Sequence, residues 1–209
     1  HDPVTHDPLG LLVEDGRTNL LRYSEKFDNA AWVPANLAIT PNAAVAPDGT
    51  ITADLLSPTA INAFIYQTTI PALTAASAYF FSVYLKSATG VDVALPGLAA
   101  NGSGVTPNPT NGAGITITTE WTRFLLPITG NGATANLIIG RLSGWDVGQD
   151  IYAWGAQLEY TAGASASSYI PTDASTVARS ADAVSIAGAA FASFFNQSEG
   201  TLVVGCIAP

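Results

Sequence analysis

The chain has 209 residues, 48% of them hydrophobic and only 11% charged, a composition able to bury a large core without covalent staples. Seven basic residues face sixteen acidic ones, a net charge of −9, which argues against nucleic acid because phosphate neutralisation needs clustered Lys and Arg. The lone cysteine, Cys206, excludes an internal disulfide, and no apolar run is long enough to span a bilayer as a helix.

Residues 1–8 repeat His-Asp-Pro and read as an extended N-terminal arm, since a residue before proline avoids helix. A metal reading of His1, Asp2, His6 and Asp7 stands beside a solvated linker, and the linker is favoured. Leu9–Val13 reads as a short strand, and Leu20 and Leu21 start a core element behind which Phe27 and Trp32 act as anchors. Pro47-Asp48-Gly49 is a turn, because Pro presets φ and Gly permits positive φ. Strands are predicted at 53–56 and 63–70, the second with Phe64, Tyr66 and Thr68 on one face and Ile65, Gln67 and Thr69 on the other.

Residues 77–86 are the central strand. Tyr79, Phe81, Val83 and Leu85 share its apolar parity, while Phe80, Ser82, Tyr84 and Lys86 share the wettable one. Further strands are predicted at 91–95, 115–117, 121–128, 137–142 and 151–159, with a long loop at 96–114. Many short strands without a helix-length periodic segment define an all-β class, a jelly-roll β-sandwich over 9–160. An extended linker or strand at 161–186 follows. Residues 187–196 then predict a short helix with Phe191, Phe194 and Phe195 on one face, leading into a further domain at 187–209. The start at His1 and the apolar finish at 201–207 predict a fragment, a processed product or the visible part of a longer chain.

Catalytic motifs are missing from the sequence. The histidines are confined to the arm, and no Gly-x-Ser-x-Gly, P-loop or His-Glu-x-x-His is present. A carboxylate pair for glycoside hydrolysis would have to come from Glu120, Asp146, Asp150 or Glu159, whose separation a sequence does not give. The expectation is a protein that is not an enzyme.

Several segments together resemble virion proteins of tailed bacteriophages. They are Gly10–Glu14 with Arg17-Thr18-Asn19-Leu20-Leu21, then Ser24-Glu25-x-Phe27-Asp28-Asn29-Ala30-Ala31-Trp32, and Ala46–Thr50 followed by Thr52-Ala53-Asp54. At the far end they are Trp154–Glu159, Ser168–Thr172 and Arg179–Asp182. The resemblance is to tail-fibre and head-spike proteins carrying a jelly roll similar to carbohydrate-binding modules of the galactose-binding-like type. Residues 191–204 resemble the start of a concanavalin-like lectin domain.

The resemblance implies a structural domain on the virion surface, with other virion proteins and itself as partners in a homo-oligomer such as a trimer, and with host cell-surface glycan as ligand. A carbohydrate-binding module of a secreted bacterial enzyme and a tail-associated polysaccharide-degrading enzyme are the alternatives. Sugar recognition sets an aromatic face against a pyranose with a few placed polar groups. Tyr84 and Lys86 on the central strand are candidates for it, with Tyr66 from a neighbouring strand and Arg141 and Trp145 beside a loop. Each has a structural alternative, as core residue or edge cap. The resemblance also implies a calcium ion, for which Glu25, Asp28, Asp54 and Asp150 are the best-placed hard oxygen donors.

Overall fold

The structure is a computed structural model that describes residues 13–140, 144–161 and 166–183. The chain divides into two compact units, residues 17–179 and the two terminal segments 1–16 and 180–209. Within the terminal unit, the backbone N–H of Asp182 donates to the Glu14 carbonyl, and the Glu14 N–H donates to the Asp182 carboxylate at 3.0 Å. The predicted arm, the 187–196 helix and Arg141 lie outside the described residues.

The larger unit is an all-β jelly roll, with no helix among the described residues. Its fourteen strands are β1 (Arg17–Asn19), β2 (Val33–Ala35), β3 (Leu37–Ala44), β4 (Ala53–Pro58), β5 (Phe64–Thr68), β6 (Ala78–Ser87) and β7 (Val93–Leu95), then β8 (Leu98–Asn101), β9 (Thr110–Asn111), β10 (Ile115–Ile117), β11 (Thr122–Thr129), β12 (Asn136–Ile139), β13 (Ile151–Tyr160) and β14 (Val177–Arg179). One five-stranded sheet, the first, has the order β11-β6-β13-β4-β3. The second has the order β2-β5-β12-β8-β9. Two short pairs, β1 with β14 and β7 with β10, complete the unit.

The core lies between the two sheets. β6 contributes Tyr79, Phe81, Val83 and Leu85, the apolar parity read from the sequence, and β5, β12 and β8 answer with Ile65, Leu137, Ile139, Leu98 and Ala100. Phe27 and Trp32 anchor the chain as expected, buried with ring centroids 4.8 Å apart. Burying side chains of this size contributes about 1.5–3 kcal/mol each, so this contact set carries much of the stability.

β13 contains a bulge. Trp154 pairs with Tyr84, but Gln157 pairs with Ser82, so three steps on β13 oppose two on β6. Gly155 supplies the required positive φ of 65°. The bulge inverts the alternation: Ile151 and Ala153 face the core before it, Ala156 and Leu158 after it.

All four outermost strands carry or abut a proline: Pro127 in β11, Pro41 in β3, Pro34 in β2, and Pro109 immediately before β9. Proline lacks the N–H that a docking strand would use, so these edges resist sheet-to-sheet aggregation.

Three sequence expectations change. The region 96–114 is not one loop; it holds β8 and β9, with Leu98 and Ala100 in the core. Residues 37–44 form β3, which the Pro41-Asn42 turn signal concealed. The compact unit also runs on to Arg179 instead of ending near residue 160, because β14 pairs with β1 and residues 166–173 pack on the first sheet.

Candidate functional site

The sandwich has two outer faces, built from the residues on β6 and β5 that alternate with the core. On the first sheet this is the parity of Ser82, Tyr84 and Lys86. Tyr84 packs edge-on against Trp154, with centroids 5.5 Å apart, and Trp154 packs against Tyr169 at 4.5 Å. The Arg123 guanidinium sits 5.5 Å from the Tyr84 ring centre. The same guanidinium donates to Ser82 Oγ and to the Ser167 carbonyl. The ring N–H groups of Trp154 and Trp121 donate to Thr52 Oγ1 and to the Val45 carbonyl. Ala44, Ala46 and Ala53 complete this second apolar cluster.

Residues 166–173 roof that face. Glu159, buried, accepts from the Ser167 N–H at 2.9 Å, from Ser167 Oγ at 2.6 Å and from Gln157 Nε2 at 3.0 Å. Gln157 Oε1 accepts from the Ile170 N–H at 2.7 Å. The Asn19 amide is fully used: its Nδ2 donates to the Ala156 and Ile170 carbonyls, and its Oδ1 accepts from the Leu21 and Leu158 N–H groups. Tyr169 donates to Glu25 at 3.0 Å and shares a 2.5 Å hydrogen bond with Ser24. Burial pushes the Glu25 carboxyl above its usual range, partly offset by the Tyr169 hydrogen bond. The polar atoms of this face are thus spent on holding the chain to itself.

The outer face of the second sheet differs. Strand register sets Val33, Tyr66, Ile138, Ala99 and Asn111 in one row across the sheet. Thr68, Asn136 and Asn101 form the next row, and Ala35 and Phe64 lie on the other side. The Phe64 and Tyr66 rings are near-parallel, 30° apart with centroids at 6.3 Å. Thr68 Oγ1 donates to Asn136 Oδ1 at 2.7 Å, and Asn136 Nδ2 donates to Asn101 Oδ1 at 2.9 Å. An apolar strip therefore abuts a ladder of oriented amides, the arrangement in which a pyranose finds both a ring to lie on and partners for its hydroxyls.

The four sugar-binding candidates among the described residues do not converge. Tyr66 lies half-buried on the outer face of the second sheet, beside the buried Ile138 and Ala99, whereas Tyr84 and Lys86 lie on the outer face of the first. Trp145 is a core residue, completely buried, with its ring N–H donating to the Gln149 carbonyl, so it offers nothing to a ligand. Gly140, at φ 73°, makes room for it; a Cβ there would overlap the Trp145 ring. Sequence reasoning missed Phe64, Thr68, Asn136 and Asn101 as site residues. Phe64, Tyr66 and Thr68 were legible as one face, but their neighbours were not, because β8 sat inside a presumed loop.

The calcium candidates do not gather into one site, although Asp28 and Asp54 lie within electrostatic reach of each other. Among the described residues no three His, Cys, Asp or Glu side chains gather where they could hold a metal ion. Asp54 is buried and accepts from the Phe27 N–H at 2.8 Å and the Asn42 N–H at 2.9 Å. Burial pushes its carboxyl up to about 6, against those hydrogen bonds. Glu25 is engaged by Tyr169, while Asp28 is exposed and Asp150 half-buried. Of the hydrolytic candidates, Glu159 is locked in the roof network, and Glu120 and Asp146 are exposed. A cleft of about 370 Å³ opens where β6 and β11 meet residues 106–110, lined by Phe80, Pro107, Pro127, Thr106, Thr110 and Thr129 among others, with no carboxylate or cation in its wall.

No protein-family model matches the chain, and no curated protein matches it significantly. Solved structures do, and they define its class as a jelly-roll β-sandwich. The chain is similar to the enzymatically active domain of tailspike protein 4 from bacteriophage CBA120, at 13% identity and a TM-score of 0.50, over 68% of this chain and 21% of that one. It is similar to the CBM22-1 xylan-binding domain of Paenibacillus barcinonensis Xyn10C, at 11% identity and a TM-score of 0.51, over 68% of this chain and 94% of that domain. It is also similar to the CBM22-1–GH10 modules of Clostridium thermocellum xylanase Xyn10B complexed with xylohexaose, at 15% identity and a TM-score of 0.50, over 74% of this chain and 30% of that one. At these identities the likeness is one of fold.

Proposed function

We propose that this jelly roll is a non-catalytic glycan-binding domain whose ligand lies on the outer face of the second sheet. The observation that carries the reading is the Phe64–Tyr66 strip beside the Thr68–Asn136–Asn101 ladder, on a face that residues 166–173 leave uncovered. Xylan-binding modules of the same fold support it. The test is binding of the purified protein to a printed glycan array, followed by titration of each hit. Tyr66→Ala is expected to abolish the signal and Tyr84→Phe to leave it intact; a signal indifferent to Tyr66 sinks the location.

The setting we infer is the surface of a phage particle, as part of a tail fibre or head spike that assembles with copies of itself. The opening and closing motifs shared with such proteins support this, as does the tailspike among the similar structures. Detection of the chain in purified particles, and a trimer mass by light scattering, are the expected results. Finding the same chain joined to a secreted polysaccharide-active enzyme would instead favour the enzyme-attached module, for which the same face would serve.

A further inference from the structure

Resting on the glycan-binding reading, the face itself limits the class of glycan. Ten residues occupy its register positions: Val33, Ala35, Phe64, Tyr66, Thr68, Ala99, Asn101, Asn111, Asn136 and Ile138. None of them is ionisable at neutral pH. The first sheet's outer face, by contrast, carries Arg123, Lys86 and Glu159.

The ladder's remaining hydrogen-bonding capacity is mixed. Thr68 has given its hydroxyl proton to Asn136, and Asn136 has given one of its two amide protons to Asn101. Three amide N–H donors remain on the two asparagines, together with unused lone pairs on Asn136 Oδ1, Asn101 Oδ1 and Thr68 Oγ1. A sugar hydroxyl both donates and accepts, so it can match either kind of atom. A carboxylate or sulfate only accepts; it can use the three N–H donors but not the lone pairs, and it loses its own hydration with no cation on the face to offset the charge. The net charge of −9 opposes it at longer range.

Length is set as well. Phe64 and Thr68 are four residues apart on one strand, about 13 Å at the usual rise per residue. One pyranose on Tyr66 reaches the amide ladder about 7 Å away, but it does not also extend to Phe64, so contact along the whole row takes at least two sugar units. We infer that the ligand is an uncharged oligosaccharide or polysaccharide, read over at least two sugar units, and that acidic glycans are rejected.

The experiment takes a neutral oligosaccharide that scores on the array and compares it with its own derivative, in which the C6 hydroxymethyl groups have been oxidised to carboxylates. Calorimetry is run at 50 and 500 mM NaCl, on a series from one sugar unit upward. The neutral ligand is expected to bind with a Kd that changes less than about twofold with salt, and the oxidised one at least about tenfold more weakly. Affinity should rise from one unit to two or three. Asn136→Asp, which keeps the shape but adds charge and removes the donor, should lose about tenfold toward the neutral ligand. Equal or tighter binding of the acidic form, strong salt dependence, or a monosaccharide binding as tightly as the oligomer would overturn the inference while leaving glycan binding intact. Silence across the whole array would remove both.

Discussion

Tyr84 and Tyr66 sit in comparable places, each half-buried on the outer face of a central strand in a five-stranded sheet. Their fates differ because the chain returns over one and not the other. Around Tyr84, residues 166–173 and the 44–53 region close down, and the aromatic surface becomes a second small core with Trp154, Tyr169 and Trp121. Around Tyr66 no described residue makes such a set of contacts, and the amides of Asn136 and Asn101 hydrogen-bond sideways to each other. An aromatic on an outer face is therefore glue or platform according to what covers it, and residue type does not decide between them.

The comparison is broken most severely by Trp154→Ala. Removing a buried indole from the roofed cluster should cost about 3–5 kcal/mol in urea unfolding, and any protein that remains folded should keep its glycan affinity. Next is Asp54→Asn, which cannot satisfy both N–H groups that the carboxylate accepts and should cost about 1–3 kcal/mol. Its pH signature is distinctive. The folded-state value of about 6 lies above the ordinary 3.8, so the folded protein holds the proton more tightly than the unfolded chain. The stability of the wild type relative to Asp54→Asn should then be greatest below about pH 4, and should fall as pH rises toward 6 and level off above, by on the order of 2 kcal/mol. A difference curve that rises over that window would refute the assignment.

Gly155→Ala follows. The new Cβ would lie 3.2 Å from Tyr84 and 3.3 Å from Tyr169, at a φ of 65° that alanine resists, so a loss of about 1–3 kcal/mol is expected, read as a lowered Tm. The smallest effect on stability, under about 1 kcal/mol, should come from Tyr66→Ala, which should nonetheless lower glycan affinity by at least about tenfold. That separation between stability and binding is the sharpest form of the contrast between the two faces.

The motifs that carry the virion resemblance acquire a physical role from the fold. Asn19 and Ser24 near the start meet Ala156, Leu158, Tyr169, Ile170 and Thr172 near the end, through hydrogen bonds spanning more than a hundred residues of chain. These segments are a clasp that fastens both ends of the jelly roll onto its first sheet. They act in holding the domain together, while the candidate ligand face is made of residues outside them.

The sequence by itself determined the all-β class, the central strand with its core parity, and the anchoring roles of Phe27 and Trp32. Each of these follows from local alternation and side-chain type, which act within a few residues. Tertiary structure alone decided that Trp145 is core, that the alternation inverts at Gly155, and that Tyr66 and Tyr84 lie on opposite sides of the sandwich. Pairing between distant strands sets which side chains become neighbours, and the path of residues 166–173 makes the first sheet's aromatics a second core. Neither is encoded in any single stretch of the chain.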